Sequence, residues 1–166
     1  MSGSGKTTLS QTFNALGYEA YNIEHDDYGL FMMVRRDTGE RYLDYDNTDL
    51  KKVANSRWVC DVTKLKKLLD GQKTDLAFYC GTASDNIELM PLFDFSIVLH
   101  VSPKILDKRL MVREGTDDYA NTPAGRQKVL SRLDEFEKAM IKAGMIVVDA
   151  NGSPEKVAKD ILKIVS

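Results

Sequence analysis

A chain of 166 residues is long enough for one domain that buries its core without disulfide or metal staples. With 43% hydrophobic and 29% charged residues and a formal net charge of -2, the composition is that of a globular domain, not a disordered or fibrous one, and there is no basic field to hold a duplex or an anionic lipid surface. Cys60 and Cys80 lack metal-ligand or redox spacing and read as reduced packing residues, the apolar runs are too short for a bilayer, and no targeting segment is seen, so a cytoplasmic protein is expected.

The first residues carry the most specific signal. Ser2-Gly3-Ser4-Gly5-Lys6-Thr7-Thr8 matches the second half of G-x-x-x-x-G-K-[ST] and runs into a helical stretch, Lys6 to Leu16, with Leu9, Phe13 and Leu16 on one face. Gly3 and Gly5, with Ser4 between them, let successive backbone N–H groups turn towards a polyanion, and the helix adds its positive N-terminal dipole. In ATP bound there, Lys6 would contact the β- and γ-phosphates, Thr7 would offer its hydroxyl to Mg²⁺ and Thr8 would reach an inner phosphate. The alternative is a Gly/Ser loop capping an ordinary helix. The first glycine of the pattern, and the strand that normally feeds the loop, would precede Met1, so an apolar strand ending in glycine is expected upstream.

Glu19 to Ile23 reads as a strand, and Glu24-His25-Asp26-Asp27-Tyr28 then places carboxylates at its carboxyl end, the edge where open α/β sheets bind ligands. Asp26 is the first choice for accepting the proton of an attacking hydroxyl and for holding Mg²⁺ with Thr7, and Asp27 is the second; an Asp-rich turn is the alternative. His25 reads as a neighbour of the site. Residues 29–57 show weak periodicity and polar turns, as functional loops do, and Arg35, Arg36, Arg41 and Arg57 within them offer bidentate contacts to an anionic acceptor. Arg57, next to Trp58, is the preferred substrate contact among these.

Val62, Leu65 and Leu69 mark a short helix ending near Gly71, followed by a buried strand from Leu76 into Cys80-Gly81-Thr82. Cys80 stands where many phosphate-loop enzymes carry a metal-binding Asp, while Gly81, Thr82 and Ser84 either line the acceptor pocket or form a plain β-turn. After a strand at Ser96 to Val101, Ser102-Pro103 opens a helix with Leu106 and Leu110 inward. Its Arg109 and Arg113 would bring positive charge over the phosphates, ahead of a short lid at about residues 114–126; solvated helix charges are the alternative. One long helix is expected after Pro123, carrying Val129, Leu133, Phe136 and Met140 and stopping at Gly144. The strand ending at Val148 runs into Asp149 and Ala150, whose loop is placed to hold the adenine edge, and Ser153-Pro154-Glu155 starts the last helix.

Short strands alternating with helices along one undivided chain predict a single α/β domain, a three-layer α/β/α sandwich with a parallel sheet. Gly3-Ser4-Gly5-Lys6-Thr7-Thr8, Asp26-Asp27, Gly81, Arg109 with Arg113, and Asp149-Ala150 before Ser153-Pro154 together resemble the nucleoside monophosphate kinase and shikimate kinase group of P-loop kinases. The resemblance implies the P-loop NTPase fold, ATP and Mg²⁺ as cofactors, a strand-end acid near acceptor and Mg²⁺, lid arginines on the phosphates and adenine in the loop after the last strand. The expected function is transfer of the γ-phosphoryl group to a small-molecule or nucleotide acceptor by a monomer or homodimer with no membrane partner. Alternatives are an ATP-binding regulatory module without transfer activity and a kinase of nucleic acid, the latter disfavoured by the acidic charge balance.

Overall fold

The computed structural model describes residues 1–112, 120 and 122–165, with every side chain among them except that of Asp26. Helix α1 (Lys6–Ala15) starts on Gly5 and buries Leu9 and Phe13; Leu16, at its end, is 51% exposed and leaves the expected stripe because Gly17 already turns the chain there at φ 87°. The chain then enters β1 (Glu19–Asn22), which pairs in parallel with β4 (Ala77–Cys80), so that the crossover between them carries everything from residue 23 to residue 76.

That crossover contains the segment expected to be irregular. It forms instead an antiparallel hairpin of β2 (Phe31–Arg35) and β3 (Ser56–Cys60), extended by a bridge between Val34 and Arg41, with the short α2 (Leu50–Ala54) in its long connection. Its strands are invisible to periodicity because Phe31, Met32, Met33 and Val34 are apolar at both parities. Asp49 caps α2 and Asp61 caps α3 (Val62–Asp70), each accepting from the backbone N–H groups of the first turn.

After β4 come the short α4 (Asn86–Leu89) and β5 (Ile97–His100), which pairs in parallel with β6 (Ile146–Asp149). The β5–β6 crossover carries α5 (Pro103–Met111), α6 (Pro123–Ser131) and α7 (Leu133–Lys142). The single long helix expected after Pro123 is therefore two. The break falls at Arg132, which stays in the right-handed region at φ -99° and ψ -5° but whose N–H turns back to the Val129 carbonyl at 3.2 Å, and α7 then packs on β5. Residues 123–126 of the expected lid are the first turn of α6, fixed by Thr122 accepting from the Gly125 N–H at 3.0 Å. The rest of that lid, apart from Ala120 and Thr122, lies outside the described residues.

The last helix, α8 (Pro154–Val165), packs on β6 and on α1, and α1 packs on β1 and β4. The result is an α/β architecture of short parallel pairs overlaid by helices. One buried cluster joins Leu9 and Phe13 of α1, Leu106 and Leu110 of α5 and Ile161 of α8; a second joins Ile23, Leu30, Cys60, Leu65 and Leu89 under the hairpin. The β1–β4 and β5–β6 pairs are separate sheets, with an apolar cavity of about 350 Å³ between β4 and β5, walled by Phe78, Val98, Phe13 and Phe136. Burial pushes the Cys80 thiol up to about 12 and that of Cys60 up to about 11, which suits packing residues. Among the described residues no helix is long and apolar enough to cross a membrane.

Candidate functional site

The carboxyl ends of both parallel pairs open on one cleft of about 1250 Å³ that runs along residues 2–8. Gly3 and Gly5 sit at φ 76° and 102°, a conformation that costs a residue with a Cβ. At Gly3 packing makes the same demand, since a Cβ there would lie 2.9 Å from both Leu106 Cδ1 and Leu110 Cδ2, inside the helix α5 that supports the loop. No side chain caps the start of α1, so its first N–H groups face the cleft between exposed Thr7 and Thr8. Lys6 Nζ donates to the Met1 carbonyl at 2.8 Å, and Ser4 Oγ donates to the same oxygen at 3.0 Å.

At one end of the cleft Arg109, on α5, donates to the Ala150 carbonyl at 2.9 Å and to the Ser4 carbonyl at 3.4 Å. It thus ties the loop of residues 2–5 to the loop after β6. Ala150, Gly152 and Pro154 line this end, while Asp149 does not. The Asp149 carboxylate accepts from the Asn151 backbone N–H at 3.0 Å and from its amide at 2.6 Å, bonds that hold its pKa below the ordinary value, and Asn151 in turn accepts from the Ser102 N–H at 2.8 Å. Asp149 therefore shapes the loop whose backbone reaches the cleft. Arg113 lies outside the described residues.

Among the described side chains, the carboxylate that reaches the middle of the cleft is that of Glu24. Its Oε1 accepts from the Thr82 N–H at 2.6 Å and stands 3.7 Å from Lys6 Nζ, joining the end of β1, the turn after β4 and the start of α1. Gly81 permits this convergence: a Cβ on it would fall 2.4 Å from Ile23 Cγ1, so only glycine lets the two strand ends approach. Thr82 lines the cleft and its hydroxyl accepts from the Asn86 amide at 3.0 Å. Asp27 is placed elsewhere. The 3-10 turn Asp26–Tyr28 carries it outward, where its side chain is 83% exposed and pairs with His25 Nδ1 at 3.2 Å. The side chain of Asp26 is outside those described.

At the other end the hairpin supplies Met33 and Trp58, and its long connection supplies Tyr45 and Asn47. Met33 and Trp58 are cross-strand partners on one face; Arg57 pairs with Val34 on the opposite face and is not part of the cleft wall. Arg35 is engaged by Asp44 at 2.9 Å and lies over the Tyr42 ring at 4.2 Å, and Arg36 donates to the Ser56 carbonyl at 3.3 Å. Glu24, Met33, Tyr45 and Asn47 were not singled out by the sequence. Only Glu24 had a signal there, as the first acid after the strand.

Among the described residues no three His, Cys, Asp or Glu side chains gather as a metal site of their own. Thr7 and Glu24 nevertheless give oxygen donors on the same cleft, and Mg²⁺ sites that share phosphate oxygens need only one or two protein ligands. No protein-family model matches the sequence, and a search of curated proteins finds no match either.

Proposed function

We propose that the protein is a phosphotransferase of the P-loop kinase type, built on the three-layer α/β/α sandwich of that class, which moves the γ-phosphoryl group of ATP to a hydroxyl group of a small molecule. The observation that carries this reading is the meeting of Lys6 and Glu24, 3.7 Å apart, beside the uncapped start of α1. A cation aimed at a polyphosphate and a carboxylate able to take a hydroxyl proton are the two side-chain functions that phosphoryl transfer needs, since its barrier falls chiefly by positioning and charge neutralisation.

In this reading the backbone N–H groups at Gly3, Gly5 and the first turn of α1 cradle the β- and γ-phosphates, and Lys6 leaves the Met1 carbonyl to bind them. Arg109 holds the phosphate loop against Ala150, whose backbone meets the adenine edge, and adds positive charge at that end. Mg²⁺, held by Thr7 and, directly or through water, by Glu24, would supply neutralisation of the phosphate charge. Glu24 orients the acceptor hydroxyl and accepts its proton, and its bond from the Thr82 N–H fixes it for that task.

Glu24→Gln compared with Asp27→Asn tests the assignment. ATP affinity by calorimetry should stay within a few-fold of the parent in both, while ADP formation should fall about 10²- to 10⁴-fold in Glu24→Gln alone. Full turnover in Glu24→Gln would remove Glu24 from the chemistry, and failure of the parent protein to bind ATP with Mg²⁺ would overturn the reading itself.

A further inference from the structure

The chemistry of the acceptor end narrows the acceptor. We infer that it takes a neutral alcohol carrying a flat heteroaromatic ring, a nucleoside and not a nucleotide, an inference that rests on the phosphotransferase reading above.

The walls of this end are flat or soft. Trp58, Tyr45 and Met33 line the cleft here, together with Asn47. Trp58 is held rigidly. Its ring stacks on Phe31 with centroids 5.5 Å apart and 14° between planes. Its backbone is clamped to the turn after β4 by Trp58 N–H to Ser84 Oγ at 3.1 Å and Ser84 N–H to the Trp58 carbonyl at 2.6 Å. A preorganised aromatic wall loses little entropy on binding a ring, and stacking a base on such a wall is worth about 1–3 kcal/mol.

Charge among the described residues argues against a phosphorylated acceptor. Among the described residues lining the cleft the only Lys or Arg side chains are Lys6, at the phosphate loop, and Arg109, at the nucleotide end. The arginines of the hairpin are turned away or engaged: Arg57 and Arg41 both pair with Val34 on the opposite face, Arg35 is on Asp44 and Tyr42, and Arg36 is on the Ser56 carbonyl. His25 lines the cleft with Nδ1 3.2 Å from the Asp27 carboxylate. Glu24 adds a negative charge. A second phosphate placed here would meet that carboxylate without the arginine fork that phosphate recognition uses.

The step balances with the partners named. The acceptor hydroxyl oxygen forms a bond to the γ-phosphorus, the bond from that phosphorus to the β–γ bridging oxygen breaks with its electron pair leaving on ADP, and the hydroxyl proton passes to Glu24. The products are a nucleoside monophosphate and ADP.

Trp58 is the single tryptophan of the chain, so its emission reports this end directly. With ADP and Mg²⁺ present, the protein is titrated with adenosine, guanosine, cytidine, uridine or thymidine and with each 5′-monophosphate. At least one nucleoside should change the emission saturably and accelerate ADP formation from ATP, with its 5′-monophosphate bound about tenfold more weakly or worse. Trp58→Leu should raise the KM of that nucleoside about tenfold or more, the equivalent of one stacked base, and leave the KM of ATP unchanged. A monophosphate that binds more tightly than its nucleoside overturns the inference, as does silence of all five nucleosides in a protein that binds ATP normally. The latter outcome leaves the phosphotransferase reading standing, whereas loss of ATP binding itself strikes that reading first.

Discussion

At the end of the cleft proposed for the nucleotide, residues 2–8 present glycine turns, a lysine and a helix start from one unbroken stretch of chain, and the guanidinium of Arg109 ties this stretch to Ala150. At the end proposed for the acceptor, Glu24, Tyr45, Trp58 and Thr82 come from four separate stretches, brought together by strand register and by the close approach of Gly81 to Ile23. The first arrangement works through local backbone geometry and tolerates small shifts of its surroundings. The second is only as accurate as the packing beneath it, so damage to the packing should show first in the use of the acceptor.

Gly81→Ala would break the comparison most strongly. Its Cβ would stand 2.4 Å from Cγ1 of Ile23, which is 5% exposed and whose N–H is bonded to the Cys80 carbonyl at 3.1 Å, so neither side yields cheaply. The expected cost is about 1–3 kcal/mol of stability, seen as a fall of several degrees in Tm, with a raised acceptor KM and an almost unchanged ATP affinity. Equal damage to both substrates would mean that the two ends are not separable.

Arg109→Gln acts on the other end. Losing the guanidinium contacts to the Ala150 and Ser4 carbonyls should weaken ATP binding roughly tenfold, about 1.4 kcal/mol, in a calorimetric titration. Emission changes of Trp58 with the acceptor should persist. An unchanged ATP affinity would show that the tie between the two loops is not used in nucleotide binding.

The smallest effect belongs to Glu19, remote from both ends, and it separates site from scaffold. The Tyr21 hydroxyl donates to its carboxylate, and the Lys73 and Thr74 N–H groups and the Thr74 hydroxyl add further bonds. Together they lower its pKa from 4.5 to about 2, with the Tyr21 bond the largest cause, and Tyr21 is pushed up to about 12 in return. A depressed carboxyl contributes stability that is fully present above its unfolded value and is lost as the pH falls through its folded one. The parent should therefore lose stability between about pH 4.5 and pH 2 more steeply than Glu19→Gln in denaturant titrations, with turnover at neutral pH little affected. Parallel acid limbs in the two proteins would remove Glu19 from the account.

The α/β alternation, α1 and the strand running to Cys80 were legible in the sequence, and of the residues it singled out Lys6, Thr7, Thr82, Arg109 and Ala150 line one cleft, with Gly81 beside it at the turn after β4. Phosphate-loop geometry depends on φ angles and N–H directions of consecutive residues, so a short pattern specifies it. Two choices at the acceptor end were decided only by the tertiary structure. Arg57 and Trp58 are neighbours on a strand, and which of them faces the cleft depends on the face that the hairpin lays against the body; with apolar residues at both parities of β2, no local alternation reveals it. Likewise, of Glu24 and Asp27, both of which follow β1, the 3-10 turn sends Asp27 to solvent while Glu24 stays at the strand end, close enough to meet Lys6 and the Thr82 N–H. Sequence spacing limits which residue types can gather at the strand ends; long-range packing of β1 on β4 selects which of them face the cleft.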